Sequence, residues 1–273
     1  MGESRDTTFD GLKSAYGATL TLHRHGNLSF IVAPIPQLDD GTALRLSERY
    51  ALTVFPFVSG ESGVWGEPIG KSDRQKLLRR LAELHRSTPA VASRAPRHDL
   101  AVPGRPGLES ALDDLVRPWT AGPLSEQARH ILATHAETVH EWLDSFDHLV
   151  GLVERAGGPS VITHGEPHPG NLIRSDGGLL LVDWDTMGLA PPERDLWMLD
   201  DGSSGALAPY TEVSGRLVDD TALSLFRLAW ILSDISVYTA LFRSDHRSNQ
   251  DTEKSLRALS DSLEGATSPP YGV

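Results

Sequence analysis

The 273-residue chain contains no cysteine. Disulfides, thiolate zinc sites, iron–sulfur clusters and a cysteine nucleophile are excluded together. Positive charge is also scarce: 25 Lys and Arg against 37 Asp and Glu leave a net charge of −12. That balance argues against a nucleic-acid backbone as the main partner and suits a cationic small molecule. Long hydrophobic runs are few. The longest, Leu223 to Phe242, carries Arg227 and Asp234 and reads as a buried helix, with no membrane span expected. The opening Met1-Gly2-Glu3-Ser4-Arg5-Asp6 lacks a basic region followed by an apolar run, so no secretory signal is expected. A Gly-x-Ser-x-Gly elbow is missing too, which leaves hydrolase chemistry without support. The expectation is a soluble, cytoplasmic globular protein, and 39% hydrophobic residues suffice for its core.

What is present has a clear order. Phe9 to His25 has helical spacing in Leu12, Tyr16 and Leu20. Two strand-like runs follow, Leu28–Ala33 and Tyr50–Val58, separated by the turn Asp39-Asp40-Gly41. Residues 59–70 are rich in Gly and Ser and are expected to be a linker. Ser72 and Gln75 form a capping-box pattern ahead of an apolar stripe of Leu77, Leu78, Leu81 and Leu84. The proline-rich stretch from Pro89 to Pro106 predicts a surface excursion. One long helix is expected over Glu126 to Arg155, and two more near 220–242 and 251–264.

The most unusual segment lies between the strand-like pieces Ser160–Thr163 and Leu179–Asp183. It reads His164-Gly165-Glu166-Pro167-His168-Pro169-Gly170-Asn171, then a Gly177-Gly178 turn, then Val182-Asp183-Trp184-Asp185. The loop offers a carboxylate at Glu166 and a carboxamide five residues later at Asn171. A second carboxylate, Asp183, follows twelve residues after that. Phosphoryl transfer needs this kit: a carboxylate to orient the attacking hydroxyl, and oxygen ligands for a magnesium ion that bridges nucleotide phosphates. His164 and His168 are four apart, but the intervening Gly165 and Pro167 forbid the helix that would make them a metal pair. Gly66-Glu67-Pro68-Ile69-Gly70-Lys71-Ser72 imitates a phosphate-binding loop but is one residue short, and Glu67 would repel phosphate. Ser72 is read there as a helix cap.

On these residues the chain resembles the aminoglycoside phosphotransferase family, relatives of choline kinases and protein kinases, over roughly residues 50–260. The family pattern is His-Gly-Asp with an asparagine five residues after the aspartate, then Ile/Val-Asp-Trp/Phe. Here it is matched by His164-Gly165-Glu166, Asn171 and Val182-Asp183-Trp184. Pro192-Glu193-Arg194-Asp195-Leu196 resembles the downstream aspartate-leucine element. The resemblance implies an α+β, protein-kinase-like fold with a reduced N-lobe at 1–58 and a mainly helical C-lobe at 59–273. It implies ATP or GTP and Mg²⁺ as cofactors, with Asn171 and Asp183 holding the metal and Glu166 in the place of the catalytic base. His164 and Asp195 would support the loop, Asp195 by accepting hydrogen bonds from the His164–Gly165 region. The strand Ala51–Val58 would be the hinge, with the backbone near Phe55 and Phe57 facing the adenine. Two departures stand out. Glu166 replaces an aspartate, moving the carboxylate by about 1 Å. The eight residues before the first helix include no lysine, and that helix includes no glutamate, so no phosphate-covering hairpin is expected.

The implied reaction is O-phosphorylation of a small-molecule hydroxyl, aminoglycoside-like or another natural product, as in antibiotic resistance or biosynthesis. Two further readings stay open: a pseudokinase-like binding or partner protein without catalysis, and transfer to a peptide serine or threonine.

Overall fold

The computed structural model describes residues 9–26, 28–38 and 41–265. The expected turn residues Asp39 and Asp40 lie outside them, as does the chain start. In order the elements are α1 (Phe9–His25), β1 (Leu44–Arg45), β2 (Ala51–Leu52), β3 (Glu61–Ser62), α2 (Lys71–Arg86), α3 (Arg105–Asp113), α4 (Ser125–Thr134) and α5 (Ala136–Ala156). Then come β4 (Val161–Thr163), β5 (Leu172–Ser175), β6 (Gly178–Leu181), β7 (Gly188–Ala190), α6 (Glu193–Leu196), α7 (Ala208–Ser214), α8 (Asp220–Phe242) and α9 (Gln250–Gly265). The chain forms two compact units. Among the described residues, one comprises 9–99 and 158–223, the other 100–157 and 224–265.

In the first unit, α2 is the central pillar. Leu77, Leu78, Leu81 and Leu84 are at most 1% exposed, and the helix packs on α7 and on β4. A fully buried leucine contributes roughly 1.5–3 kcal/mol, so this stripe is a main support of the unit. The strands pair in small antiparallel sets: β1 with β2, β4 with β7, and β3–β5–β6. The β5–β6 hairpin pairs Leu172 with Leu181 and Ser175 with Gly178 across a two-residue turn. Leu172, Leu179 and Leu181 bury one face. This hairpin delivers Asn171 at its start and Asp183 just past its end.

In the second unit, α4 packs on α9, and the Arg105 guanidinium bridges Asp147 and Glu109. Ser125 Oγ donates to the Phe242 carbonyl at 2.7 Å. By length and composition α8 could cross a membrane. Its Leu225, Leu228, Leu232 and Ile235 are nonetheless buried within the structure, as suits a core helix.

Several expectations need correction. The run Leu28–Ala33 is not a strand; Ile31 makes one isolated parallel bridge to Leu181. Of Tyr50–Val58, only Ala51–Leu52 is strand. Pro56 has no N–H to give a ladder, and the Val54 carbonyl is taken by the Ile35 N–H at 2.7 Å. The expected linker 59–70 contains β3, which pairs with β5. Ser72 does not cap α2: Gly70 is the N-cap and no side chain caps it, so Ser72 lies inside the first turn. The expected long helix breaks at His135, whose ψ of 12° turns the chain between α4 and α5. The proline-rich stretch is anchored rather than free on the surface. Val91 and Val102 are buried, and the His98 N–H donates to the Leu189 carbonyl at 3.0 Å.

The hairpin turn depends on one backbone angle. Gly178 has φ 115°, whereas Gly177 stays outside the left-handed region, and neither has a neighbour that a methyl group would strike. Gly178→Ala should therefore cost about 1–2 kcal/mol from backbone strain alone. Gly177→Ala should be neutral within about 0.5 kcal/mol. Denaturant unfolding of both variants checks this, and equal losses would contradict it.

Candidate active site

The loop between β4 and β5 is shaped by buried hydrogen bonds. His164 is fully buried. Its Nε2 lies 2.9 Å from the Val182 carbonyl, and its Nδ1 accepts the Glu166 N–H at 3.2 Å. Those partners fix the tautomer with hydrogen on Nε2. The ring meets Trp184 edge-on at 4.6 Å. Burial pushes its pKa down against the opposing charge of Asp195, so it stays neutral and works as a strut between loop and hairpin. The Pro167 and Pro169 positions then bring the chain into the short turn Pro169–Asn171.

Asn171 joins the site. Its side-chain Nδ2 donates to the Glu166 carbonyl at 3.0 Å, and its own carbonyl accepts the Val182 N–H at 3.0 Å. One residue thus ties the backbone of Glu166 to the residue preceding Asp183. With the amide nitrogen committed, Oδ1 is the atom left for a cation. Glu166 is largely buried, and its Oε2 lies 4.0 Å from His168 Nε2. His168 stacks edge-on against Trp65 at 4.5 Å.

Asp183 is a non-glycine residue at φ 64°, a conformation that Asp and Asn tolerate best. Burial, the charge of Asp185 and a hydrogen bond to Asp185 push its carboxyl up to about 6. A carboxylate pair strained in this way gains from a hard cation, and an amide oxygen with a carboxylate is the sparse donor set that magnesium accepts. The residues present therefore fit that ion. Among the described residues, no group of three or more His, Asp or Glu is gathered to hold a metal ion. Burial together with the charges of Asp185 and Asp183 also raises the pKa of Tyr16 on α1, which meets Phe55 edge-on at 5.4 Å. Phe57 points into solvent at 94% exposure.

Beneath the loop, Asp195 on α6 is fully buried. Its Oδ2 accepts the His164 N–H at 2.9 Å and its Oδ1 accepts the Gly165 N–H at 2.6 Å. Burial pushes this carboxyl up, but hydrogen bonds from His85 and from the Gly165 amide outweigh that and hold it below the ordinary range. Gly165 has φ 101°, and the Arg194 guanidinium fills the space a Cβ would need. Arg194 donates to Thr163 Oγ1 at 2.8 Å and to the Thr186 carbonyl at 2.9 Å. Sequence reasoning overlooked Arg194, His85 and Tyr210. For His85 a signal existed: it lies four residues after Leu81 and seven after Leu78, a polar group in the apolar stripe of α2. A separate cavity of about 430 Å³ is lined by residues including Asp200, Glu212 and Asp220, but by none of Glu166, Asn171 and Asp183.

The Asp183 shift has a signed consequence. Its folded value of about 6 lies above the unfolded value of 3.8. The stability tied to protonation is complete below the unfolded value and is lost as pH rises through about 6. Asp183→Asn removes that loss. The variant should unfold at a higher temperature than the wild type near pH 8, with the gap narrowing below about pH 6 and closing below about pH 4. A thermal-unfolding series against pH checks this, and a gap independent of pH would contradict it.

The phosphotransferase enzyme family (APH) matches residues 16–213. No curated protein matches the chain by sequence. Spectinomycin phosphotransferase APH(9)-Ia, solved with ADP and spectinomycin, aligns over 93% of this chain and 82% of its own, with a TM-score of 0.73 at 19% identity. An aminoglycoside phosphotransferase from Alicyclobacillus acidocaldarius aligns over 92% and 80%, with a TM-score of 0.53 at 15% identity. Choline kinase LicA from Streptococcus pneumoniae aligns over 93% and 82%, with a TM-score of 0.51 at 14% identity. At such identities the likeness shows the fold: α+β, protein-kinase-like and rich in helix. With the family match spanning most of its length, the chain belongs to the phosphotransferase enzyme family.

Proposed function

We propose that this chain transfers the γ-phosphoryl group of a nucleoside triphosphate, ATP or GTP, to a hydroxyl of a small molecule. The observation that carries the reading is Asn171, whose amide and carbonyl tie the backbone of Glu166 to the strand end bearing Asp183. Asn171 Oδ1 and the Asp183 carboxylate would hold magnesium, which when bound neutralises charge on the β- and γ-phosphates. Glu166 orients the acceptor hydroxyl and takes its proton as the oxygen attacks. Phosphoryl transfer has a loose transition state, so alignment counts for more than base strength. Glutamate serves in place of aspartate where the backbone stands slightly farther back.

We assign residues 1–58 to the nucleotide side and 59–273 to the part carrying loop and metal segment. The backbone near Phe55 and Phe57 would face the adenine, and the exposure of Phe57 leaves it free for a ligand. A positively charged acceptor would match the net charge of −12. That α1 carries no glutamate to pair with a nucleotide-binding lysine favours a second reading, a binding protein without catalysis. Spectinomycin phosphotransferase, crystallised with ADP and spectinomycin, makes spectinomycin the first acceptor to try.

Two measurements test the proposal. ATP with Mg²⁺ should raise the unfolding temperature by ligand linkage. Under transfer conditions, Glu166→Gln should lower kcat by about 10²-fold or more, since an amide cannot take the proton. Glu166→Asp should keep or raise activity. Wild-type turnover in Glu166→Gln would remove Glu166 as the base. Stabilisation by nucleotide without transfer to any acceptor would favour the binding-protein reading.

A further inference from the structure

The β1–β2 hairpin turns its apolar face outward. Its register pairs Leu44 with Leu52 and Arg45 with Ala51. The Leu46 N–H donates to the Tyr50 carbonyl at 2.9 Å, which carries the pairing one step further. Side chains alternate along a strand, and cross-strand partners share a face. Arg45 and Ala51 therefore lie on one face, and that face is turned to α1. The Arg45 guanidinium lies over the Phe9 ring at 4.5 Å, and Phe55, four residues beyond Ala51, meets Tyr16 edge-on. The opposite face carries Leu44, Leu46, Tyr50, Leu52 and Val54.

These five side chains are between 46% and 68% exposed. Ile35, whose N–H donates to the Val54 carbonyl, is exposed beside them. The solvated face of an antiparallel pair is ordinarily polar, yet this row contains no charged or amide side chain. The six residues leave on the order of 500 Å² of mostly apolar surface, as much as the largest patch of a typical monomer, and such a patch marks a contact site.

The row suits a second copy of itself. A charged partner finds no complementary group in it. Tyr50, the largest side chain, stands toward the hairpin tip, Val54, the smallest, at the other end, and the Leu44–Leu52 pair between them. A two-fold axis level with that pair sets Leu52 against Leu52 of the partner subunit. It sets Tyr50 against Val54 of the partner subunit, so that bulky meets small at both ends. Two such faces remove on the order of 1,000 Å² from water, the least that sustains a specific interface. The dimer is therefore weak. Two chains of net charge −12 also repel, so the contact tightens with salt.

We propose that the outer face of the β1–β2 hairpin is a self-association surface, on which two copies of this chain pack about a two-fold axis at Leu44 and Leu52. Such a dimer forms whether or not the chain transfers phosphate.

Sedimentation of the full chain between about 1 and 200 μM tests this. We expect a monomer–dimer equilibrium with a Kd of about 10–100 μM, tightening about threefold or more between roughly 0.1 and 1 M NaCl. Leu52→Glu sets two carboxylates against each other across the axis and should weaken the dimer by about tenfold or more. Leu217→Glu, at an exposed position outside the hairpin, should leave Kd within about twofold. The chain has no cysteine, so Leu52→Cys carries a single thiol, and a short bis-maleimide should join two copies through it. The same reagent should leave Leu217→Cys monomeric. A wild type that stays monomeric over the whole range overturns the proposal. Open-ended oligomers overturn it as well, since they mean pairing along strand edges. A dimer indifferent to Leu52→Glu, or equal cross-linking of both cysteine variants, does the same. If Leu52→Glu does not fold, the cross-linking pair decides alone.

Discussion

A buried carboxylate must be fully paired or it destabilises the fold, and in this protein that constraint falls on Asp195. Water cannot reach it, so three protein donors have to. They come from the end of α2 and from two successive amides of the loop after β4. A helix buried by leucine packing is thereby coupled to a loop that has no regular hydrogen-bond ladder of its own. The same loop is held from above by His164, which spans to the Val182 carbonyl, and by Arg194, which fills the side of Gly165. Held in this way, the backbone of the loop fixes where its carboxylate and carboxamide stand.

The site also shows where stability and function pull apart. Asp183 sits at positive φ beside a second carboxylate, and ionising it is unfavourable in the folded chain. A fold selected for stability alone would place asparagine or glycine there. A site that recruits a cation and phosphates instead keeps an excess of negative charge for the ion to neutralise. The β5–β6 hairpin accepts this because its own register is fixed by Leu172, Leu179 and Leu181 on the buried face and by the glycine turn at its tip.

Much of this was legible in the sequence, for identifiable reasons. The helices α1, α2, α8 and α9 declare themselves by apolar spacing, and the loop–hairpin segment by residue types that phosphoryl transfer requires. The His164–Gly165–Asp195 contacts follow the resemblance residue by residue. Less legible were the features set by tertiary partners. The strand pairs near the N-terminus are two residues long and have no period to detect. Ser72 satisfies a capping pattern, yet the helix starts one residue earlier, so its hydroxyl is misplaced for the cap. The break at His135 leaves no glycine or proline in the sequence to mark it. His85 was visible only as a polar residue on an apolar stripe, and nothing in the sequence names the carboxylate it meets 110 residues later.

The central claim is that loop and hairpin together move a phosphoryl group from nucleotide to a small hydroxyl compound. Phosphorus NMR of the protein with ATP, Mg²⁺ and a panel of aminocyclitols and amino alcohols tests it most directly, because acceptor product, ADP and free phosphate are resolved in one spectrum. The account predicts a phosphomonoester resonance that grows in step with ADP for one class of acceptor, and that vanishes in Asp183→Ala while the variant remains folded. Growth of free phosphate alone, or no change with bound ATP across the whole panel, would contradict it.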